Sequence, residues 1–459
     1  MINLENLRNQ NPWWQDSSFL LPERLLVKRN LFYDLEKDLD NQFILSILGL
    51  RRVGKSTILR QIISHLLESK KHQQIFYYLF DKSSSINTSQ FLEDLFSFYL
   101  EKVINKKIYE LDQKIYIFLD EIQYIDNWQA ILKRYYDLSN KKIKFIVSGS
   151  QSVLIRNQDR ESLAGRIFEY YLAPLSFAEF LKIKKSPLKL LSLNKDPFSI
   201  RENFLDLDKF NYQNNQLLQS LSYEYVLSGQ FPECLQIKDE KKKNKYILES
   251  VLGKVLDDLI KIKKIDKQEE FKLSAFQFLN NISSIFELKN IAREVGVSFV
   301  TIENYLFYLR QAYLFSLFYK KHQSIIRKGR SLKKIYTTST NFISALNNLR
   351  QSDFDRVPDF FGKIMENLLF SSLSTLESNK FYFWRNERRE VDFVLEKNKD
   401  ILPFELKFKN QIARSDLDNL VYFSRKHKLK RAILVTKNDM KQAEHKGIDI
   451  YFLPFYLML

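Results

Sequence analysis

Cysteine, histidine and glycine are scarce in this sequence, and each scarcity removes a class of chemistry. One cysteine, Cys234, among 459 residues excludes an intrachain disulfide. The five histidines, His65, His72, His322, His427 and His445, lack the spacing of zinc ligands. A metal, if used, is therefore expected on carboxylates, which favours magnesium or manganese. No apolar run approaches the roughly 18 residues that cross a bilayer. The opening MINLENLRNQNPWW lacks the apolar core of a signal peptide. A cytoplasmic protein with no membrane partner is expected. Only 10 glycines occur, so those kept are expected where the backbone needs them, Gly49 and Gly54 among them.

Apolar residues, by contrast, make up 45% of the chain, a globular composition. The length exceeds one ordinary core, so about two to four domains are expected. The formal net charge of +17 favours a polyanionic partner. Solvated surface lysine is the plainer account of the same excess.

The stretch FILSILGLRRVGKSTILRQIISHLL, residues 43–67, reads as buried strand, glycine loop and helix. That is the order of a P-loop, Gly49-x-x-x-x-Gly54-Lys55-Ser56. Glycines let backbone N–H groups converge on phosphate, and the helix N-terminus adds a favourable dipole. Gly49, Arg52, Val53, Gly54, Lys55, Ser56 and Thr57 are the expected ATP-binding residues. Lys55 would reach the β- and γ-phosphates and the Ser56 hydroxyl would ligate Mg2+. A second apolar run, Ile115 to Leu119, ends in Asp120-Glu121. Two acids at the end of a buried strand are costly without a cation or ligand. Asp120 is expected to hold magnesium and Glu121 to polarise the attacking water. A third run, KIKFIVSGSQS, ends in Ser148 and Ser150, either of which could sense the γ-phosphate or simply cap a helix. Arg166 opens a further strand and is either an arginine finger for a neighbouring chain or a surface ion pair.

These pieces together are specific. NPWW at 11–14, GLRRVGKST at 49–57, FLDEIQ at 118–123, VSGSQS at 147–152, ESLAGR at 161–166 and GQFPE at 229–233 resemble an AAA+-type ATPase family of archaea and some bacteria. The resemblance implies a C-terminal domain whose activity is poorly defined in the family. Apolar runs at 43–48, 75–80, 115–119, 143–148 and 168–172, separated by helical patterns, independently predict a parallel α/β sheet.

Residues 186–222 read as a linker with short helices, and 240–264 as a long basic helix. FELKNIAREVGVSFVTIENYLFYLRQAYLFSLF, 286–318, has the helix, glycine turn and helix of a winged helix-turn-helix, with Ser298 capping the second helix. Ser298, Phe299, Thr301 and Glu303 would head a recognition helix. They include no arginine, so a DNA reader and a protein-contact module stand equal. RKGRSLKK, 327–334, is a basic hairpin candidate for phosphate contact. The resemblance implies a following tyrosine strand that contains an Asp and a Gly; here the strand reads KKIYTTSTNF, with Ser339 and Asn341 at the expected places.

At the back, Glu366 falls on a helical pattern and Asp392 on a hairpin. Glu405 and Lys407 share one face of the strand LPFELKFK, 402–409. An acid on a helix, an acid on a strand and then acid-x-lysine resemble the PD-(D/E)xK nuclease fold. The resemblance implies magnesium shared by Asp392 and Glu405, with Glu366 contributing and Lys407 orienting or deprotonating water. A surface ion pair is the alternative for Glu405 and Lys407. The apolar tail IDIYFLPFYLML reads as final buried strands.

The expected organisation is a multidomain α/β chain. Residues 1–185 form a P-loop parallel-sheet ATPase core, 186–265 a helical lid, 266–345 a winged helix and 346–459 a nuclease-like α/β domain. ATP and Mg2+ are the expected cofactors, and nucleic acid, DNA before RNA, the expected partner. A homo-oligomer would follow if Arg166 acts in trans. An ATP-controlled assembly switch with a docking C-terminal domain is the main alternative, and a small-molecule P-loop kinase a third.

Overall fold

The computed structural model describes residues 4–80, 88–149, 163, 165–188, 196–321, 332–376 and 380–459. The chain divides into two units, Met1–Ala173 with Gln311–Tyr313, and Pro174–Arg310 with Leu314–Leu459.

The first unit is built on five parallel strands: β1 (Ile44–Leu48), β2 (Ile75–Leu79), β3 (Ile115–Asp120), β4 (Ile143–Gly149) and β5 (Ile167–Tyr171). Their order is β2-β3-β4-β1-β5. β1, β3 and β4 are buried along their whole length, which is why they read as mainly apolar runs, with Lys144 the charged exception in β4. Helices Lys55–Leu67, Ser89–Tyr99 and Trp128–Leu138 connect the strands. Thr88 caps the second of these, accepting from the Phe91 N–H at 3.1 Å. Because all strands run the same way, Gly49, Glu121 and Ser148 come to one edge of the sheet. β4 lies between β1 and β3, so Ser148 stands between the glycine loop and the acidic pair.

The N-terminal segment closes the β2 edge. Asn11 accepts from the Tyr77 N–H at 2.7 Å and donates to Tyr77 O at 2.9 Å. The Trp13 and Trp14 indoles donate to Ile75 O at 3.0 and 2.8 Å, and Gln10 accepts from the Leu79 N–H at 2.9 Å. Side chains thus satisfy backbone groups that an edge strand would otherwise offer to another chain. NPWW is a piece of sheet edge.

The second unit departs from expectation at its start. Ile200–Ser228 is one 29-residue helix rather than a linker of short ones. Ile200, Phe204, Leu207, Asn211, Leu218, Ser222 and Tyr225 are buried at alternating spacings of about three and four. Polar residues among them hid that stripe. Asn211 is paid for by the Tyr456 hydroxyl, which donates to it at 3.0 Å. The helix stops at Gly229, where a Cβ would meet the Tyr225 backbone at 2.6 Å. Asn341 then donates to the carbonyls of Tyr225 and Val226 at 3.1 and 2.8 Å and accepts from the Gln230 N–H. Ser339 donates to Gln230 Oε1 at 2.6 Å. Here Ser339 and Asn341 cap a helix and fix GQFPE.

Residues 240–263 form a continuous helical run with a π-helical middle. Helices Leu288–Val295 and Phe299–Gln311 are joined through Gly296 at φ +76°. Ser298 Oγ accepts from the Thr301 N–H at 3.1 Å. An antiparallel pair follows, β6 (Phe315–Tyr319) and β7 (Lys333–Thr337). The last part holds six strands: β8 (Lys380–Arg385), β9 (Glu390–Lys397), β10 (Asp400–Lys407), β11 (Arg431–Thr436), β12 (Lys441–His445) and β13 (Ile448–Pro454). Their order is β12-β13-β11-β10-β9-β8. Helix Pro358–Ser374 precedes them and Asp418–Lys426 joins β10 to β11. The tail from Ile450 to Leu459 is buried throughout, as strand and a short 3-10 turn. Among the described residues no helix is long and apolar enough to cross a membrane.

Candidate nucleotide site and a second carboxylate centre

The phosphate loop begins where β1 ends. Gly49 sits at φ +150°, and a Cβ there would lie 2.3 Å from Leu172 O. Gly54, at φ +103°, turns the chain into helix Lys55–Leu67. Arg52 between them is left-handed at φ 65°, and Val53 is buried. The Lys55 ammonium is buried and donates to Gly49 O at 3.1 Å and Leu50 O at 2.9 Å. Burial draws its pKa below the ordinary lysine value; Glu121 and Asp120 oppose that shift and Arg51 adds to it. Ser56 and Thr57 share the first helical turn, half-buried. The unpaired N–H groups of such a turn suit an anion.

Across β4, Asp120 is fully buried. Tyr77 donates to its Oδ2 at 3.0 Å and Ser148 donates to its Oδ1. Both partners are neutral hydroxyls, so these bonds orient the carboxylate without cancelling its charge. Ser148 Oγ also accepts from the Glu121 N–H at 3.2 Å. Glu121 itself is left-handed at φ 56°, and its carboxylate accepts from Gln123. One serine therefore bonds the Asp120 carboxylate and the Glu121 backbone. With Lys55 and Ser56 opposite, this donor set fits a magnesium nucleotide. Beside it lies a cavity of about 690 Å3, lined among others by Trp13, Arg51, Arg60, Tyr77, Glu121 and Tyr124. Burial, and then the neighbouring Asp120, push the Tyr77 phenol far above its ordinary range.

Arg166 stands just before β5 and pairs with Asp137, Nε to Oδ1 at 3.3 Å. Ser150 lies outside the described residues.

A second set of ionisable groups converges in the other unit. Lys407 Nζ meets Glu405 Oε1 at 2.7 Å, as the strand alternation predicts. Glu405 Oε2 accepts from the Asp392 N–H at 3.4 Å, and Asp392 Oδ2 accepts from the Leu406 N–H at 3.0 Å. Glu366 Oε1 is met by Lys334 Nζ at 2.8 Å and by the Tyr336 hydroxyl at 2.7 Å. Lys334 also lies 2.7 Å from Glu390 and 3.7 Å from Asp392. Burial raises Glu366 to about 7, and burial with the Asp392 charge raises Glu405 to about 8. Burial opposes the charge on Lys334, but Glu366, Asp392 and Glu390 more than restore it.

Residues 41–181 match the family model described as AAA domain. The front unit carries an AAA domain. Residues 219–353 and 361–456 match two domains of unknown function, DUF8612 and DUF4143. An uncharacterized protein of Haemophilus influenzae is 26% identical over 444 residues, covering 95% of this chain and 100% of that one. An uncharacterized protein of Methanocaldococcus jannaschii is 27% identical over 388 residues, covering 80% and 76%. Among solved structures, the Aeropyrum pernix ORC1 protein in complex with DNA is 12% identical at a TM-score of 0.31, covering 74% of this chain and 95% of that one. AMPPCP-bound DnaA from Aquifex aeolicus is 14% identical at 0.30, covering 64% and 93%. Likeness at this distance carries nothing about function.

Two residues of the front unit escape any local pattern. Arg29 is buried and donates to Val53 O at 2.9 Å and Ala173 O at 3.0 Å, bracing the loop against the segment after β5. Tyr77 sits in an ordinary-looking apolar strand. Lys334 did carry a signal, because it and Tyr336 share a strand face just as Glu405 and Lys407 do. The basic stretch 327–334 reads as a phosphate grip, yet Lys334 at its end turns inward to carboxylates.

Proposed function

We propose that the chain binds ATP with magnesium at the AAA domain, hydrolyses it, and uses the cycle to act on nucleic acid, DNA before RNA, in the cytoplasm. The observation that supports this best is Ser148 holding Asp120 and Glu121 together across from Lys55. Lys55 would leave its two loop carbonyls for the β- and γ-phosphate oxygens, replacing neutral acceptors with anionic ones. Ser56 and Asp120 would hold magnesium, which neutralises phosphate charge when bound. Glu121 would take a proton from water as its oxygen attacks the γ-phosphorus and the bond to ADP breaks. Ser148 is a positioning residue for both acids. Arg166 would have to release Asp137 to act on a neighbouring chain's nucleotide.

The nucleic-acid step rests on the +17 charge and on the helix–turn–helix followed by β6 and β7. A specific observation favours a second reading, an ATP-controlled switch for protein assembly. The helix Phe299–Gln311 exposes Phe299, Val300 and Phe307 beside Glu303, a surface better matched to an apolar partner than to phosphate.

The test uses the full chain. ATP binding should vanish in Lys55→Ala. Ser148→Ala should keep ATP affinity within a few-fold and lower turnover about 10- to 1000-fold. Duplex DNA should raise turnover severalfold. ATP affinity unchanged in Lys55→Ala would overturn the nucleotide assignment, and turnover indifferent to DNA and RNA would favour the switch.

A further inference from the structure

The carboxylate centre of the second unit has the residues a two-acid metal site requires, but a buried ammonium already lies among its acids. A divalent ion shared by Asp392 and Glu405, with Glu366 contributing, needs oxygens from all three turned to one point. Here an ammonium lies against two of them, Glu366 and Asp392, while Glu405 is met by Lys407. Lys334 is 3% exposed and lies within 2.8 Å of Glu366, 2.7 Å of Glu390 and 3.7 Å of Asp392. Its chain arrives on β7, outside the six-stranded sheet that supplies Glu390, Asp392 and Glu405. Other groups engage the same acids. Tyr336 donates to Glu366 Oε1, Arg385 pairs with Glu390 Oε2 at 3.1 Å, and Lys407 holds Glu405 Oε1. The backbone N–H of Leu406 fills Asp392 Oδ2. Among the described residues no cluster of acids, histidines and cysteines is arranged to hold a metal.

We propose that the Lys334 ammonium is the resident cation of this centre and takes the place that a divalent metal would occupy. A metal entering beside it would bring two positive charges against one already buried there, in a medium that screens poorly. The ion would have to expel Lys334 and leave it buried without partners. The centre is then a polar clamp joining β7 and helix Pro358–Ser374 to β9 and β10. Its role is to fix the C-terminal sheet on the preceding strand pair.

The test is a Mn2+ titration of the full chain without nucleotide, read by electron paramagnetic resonance. Wild type, Asp392→Asn and Glu405→Gln should give the same curve. Lys334→Met, a similar length without charge, should gain one Mn2+ site. Adding Asp392→Asn to it should weaken that site by about tenfold or more. A wild-type site lost in Asp392→Asn or Glu405→Gln overturns the proposal, as does a folded Lys334→Met that gains none. If Lys334→Met does not fold, the wild-type and Asp392→Asn comparison decides alone. The inference stands apart from the nucleotide assignment, since failure of ATP binding would not alter any of these curves.

Discussion

Two glycines in one loop should respond differently to the same added methyl. At Gly49 an alanine Cβ would lie 2.3 Å from Leu172 O and 3.2 Å from its carbonyl carbon. The obstacle is backbone, and it cannot swing aside as a side chain would. Leu172 is itself held, its N–H donating to Leu48 O at 2.7 Å. Relief requires opening the end of the β1–β5 pairing. Overpacking of this kind costs about 1–3 kcal/mol. The φ of +150° adds about 1–3 kcal/mol for a residue with a Cβ. The stiffer unfolded chain returns about 0.4–1 kcal/mol. Gly49→Ala should therefore lose about 1–6 kcal/mol. At Gly54 nothing lies within 4 Å of the new atom, and only the φ of +103° resists. Gly54→Ala should lose about 1–2 kcal/mol and act mainly on nucleotide affinity. Urea unfolding followed by tryptophan fluorescence reports this directly, because Trp13, Trp14 and Trp128 lie in the front unit and Trp384 alone lies in the other. A Gly49→Ala midpoint equal to wild type, or a Gly54→Ala loss larger than that of Gly49→Ala, would refute the steric argument.

Asn11→Ala should lose about 2–4 kcal/mol of front-unit stability, since it strands the Tyr77 N–H and C=O at the sheet edge. The same fluorescence transition checks it, and a loss under about 0.5 kcal/mol would mean water replaces Asn11 freely. Glu405 makes a pH prediction for the other unit. Its carboxyl, raised to about 8, keeps a proton in the fold that the unfolded chain releases near 4.5. That stability is fully present below the unfolded value and is lost as pH rises towards 8, at up to about 1.4 kcal/mol per pH unit. Glu405→Gln should be flatter than wild type between pH 5 and 8 in calorimetric melting, and parallel profiles would contradict the burial argument.

The phosphate loop was legible because its parts are contiguous. Spacing along eight residues fixes where Gly49, Gly54, Lys55 and Ser56 fall, whatever surrounds them. Strands β1, β3 and β4 were legible for a related reason: burial on both faces leaves runs of mainly apolar residues that a surface segment would not keep. Glu405 beside Lys407 followed from the two-residue period of a strand. The long helix Ile200–Ser228 was readable in principle, since its buried stripe repeats by threes and fours, but its asparagines and glutamines looked like a linker.

Other features were decided by contacts between distant parts of the chain. Asn11 meets Tyr77 across 66 residues, Arg29 reaches Ala173 across 144, and Lys334 enters acids contributed by a helix and a strand that come later. Periodicity tells which face of an element a side chain occupies, but not which element will pack on that face. The sequence by itself thus determined the local chemistry of the phosphate loop and the acidic strand end. Only the tertiary structure decided that one serine donates to Asp120 while accepting from the Glu121 N–H, and that Lys334 comes against Glu366, Glu390 and Asp392. Those outcomes depend on which partners burial brings within hydrogen-bond reach, and no short window of sequence contains both partners.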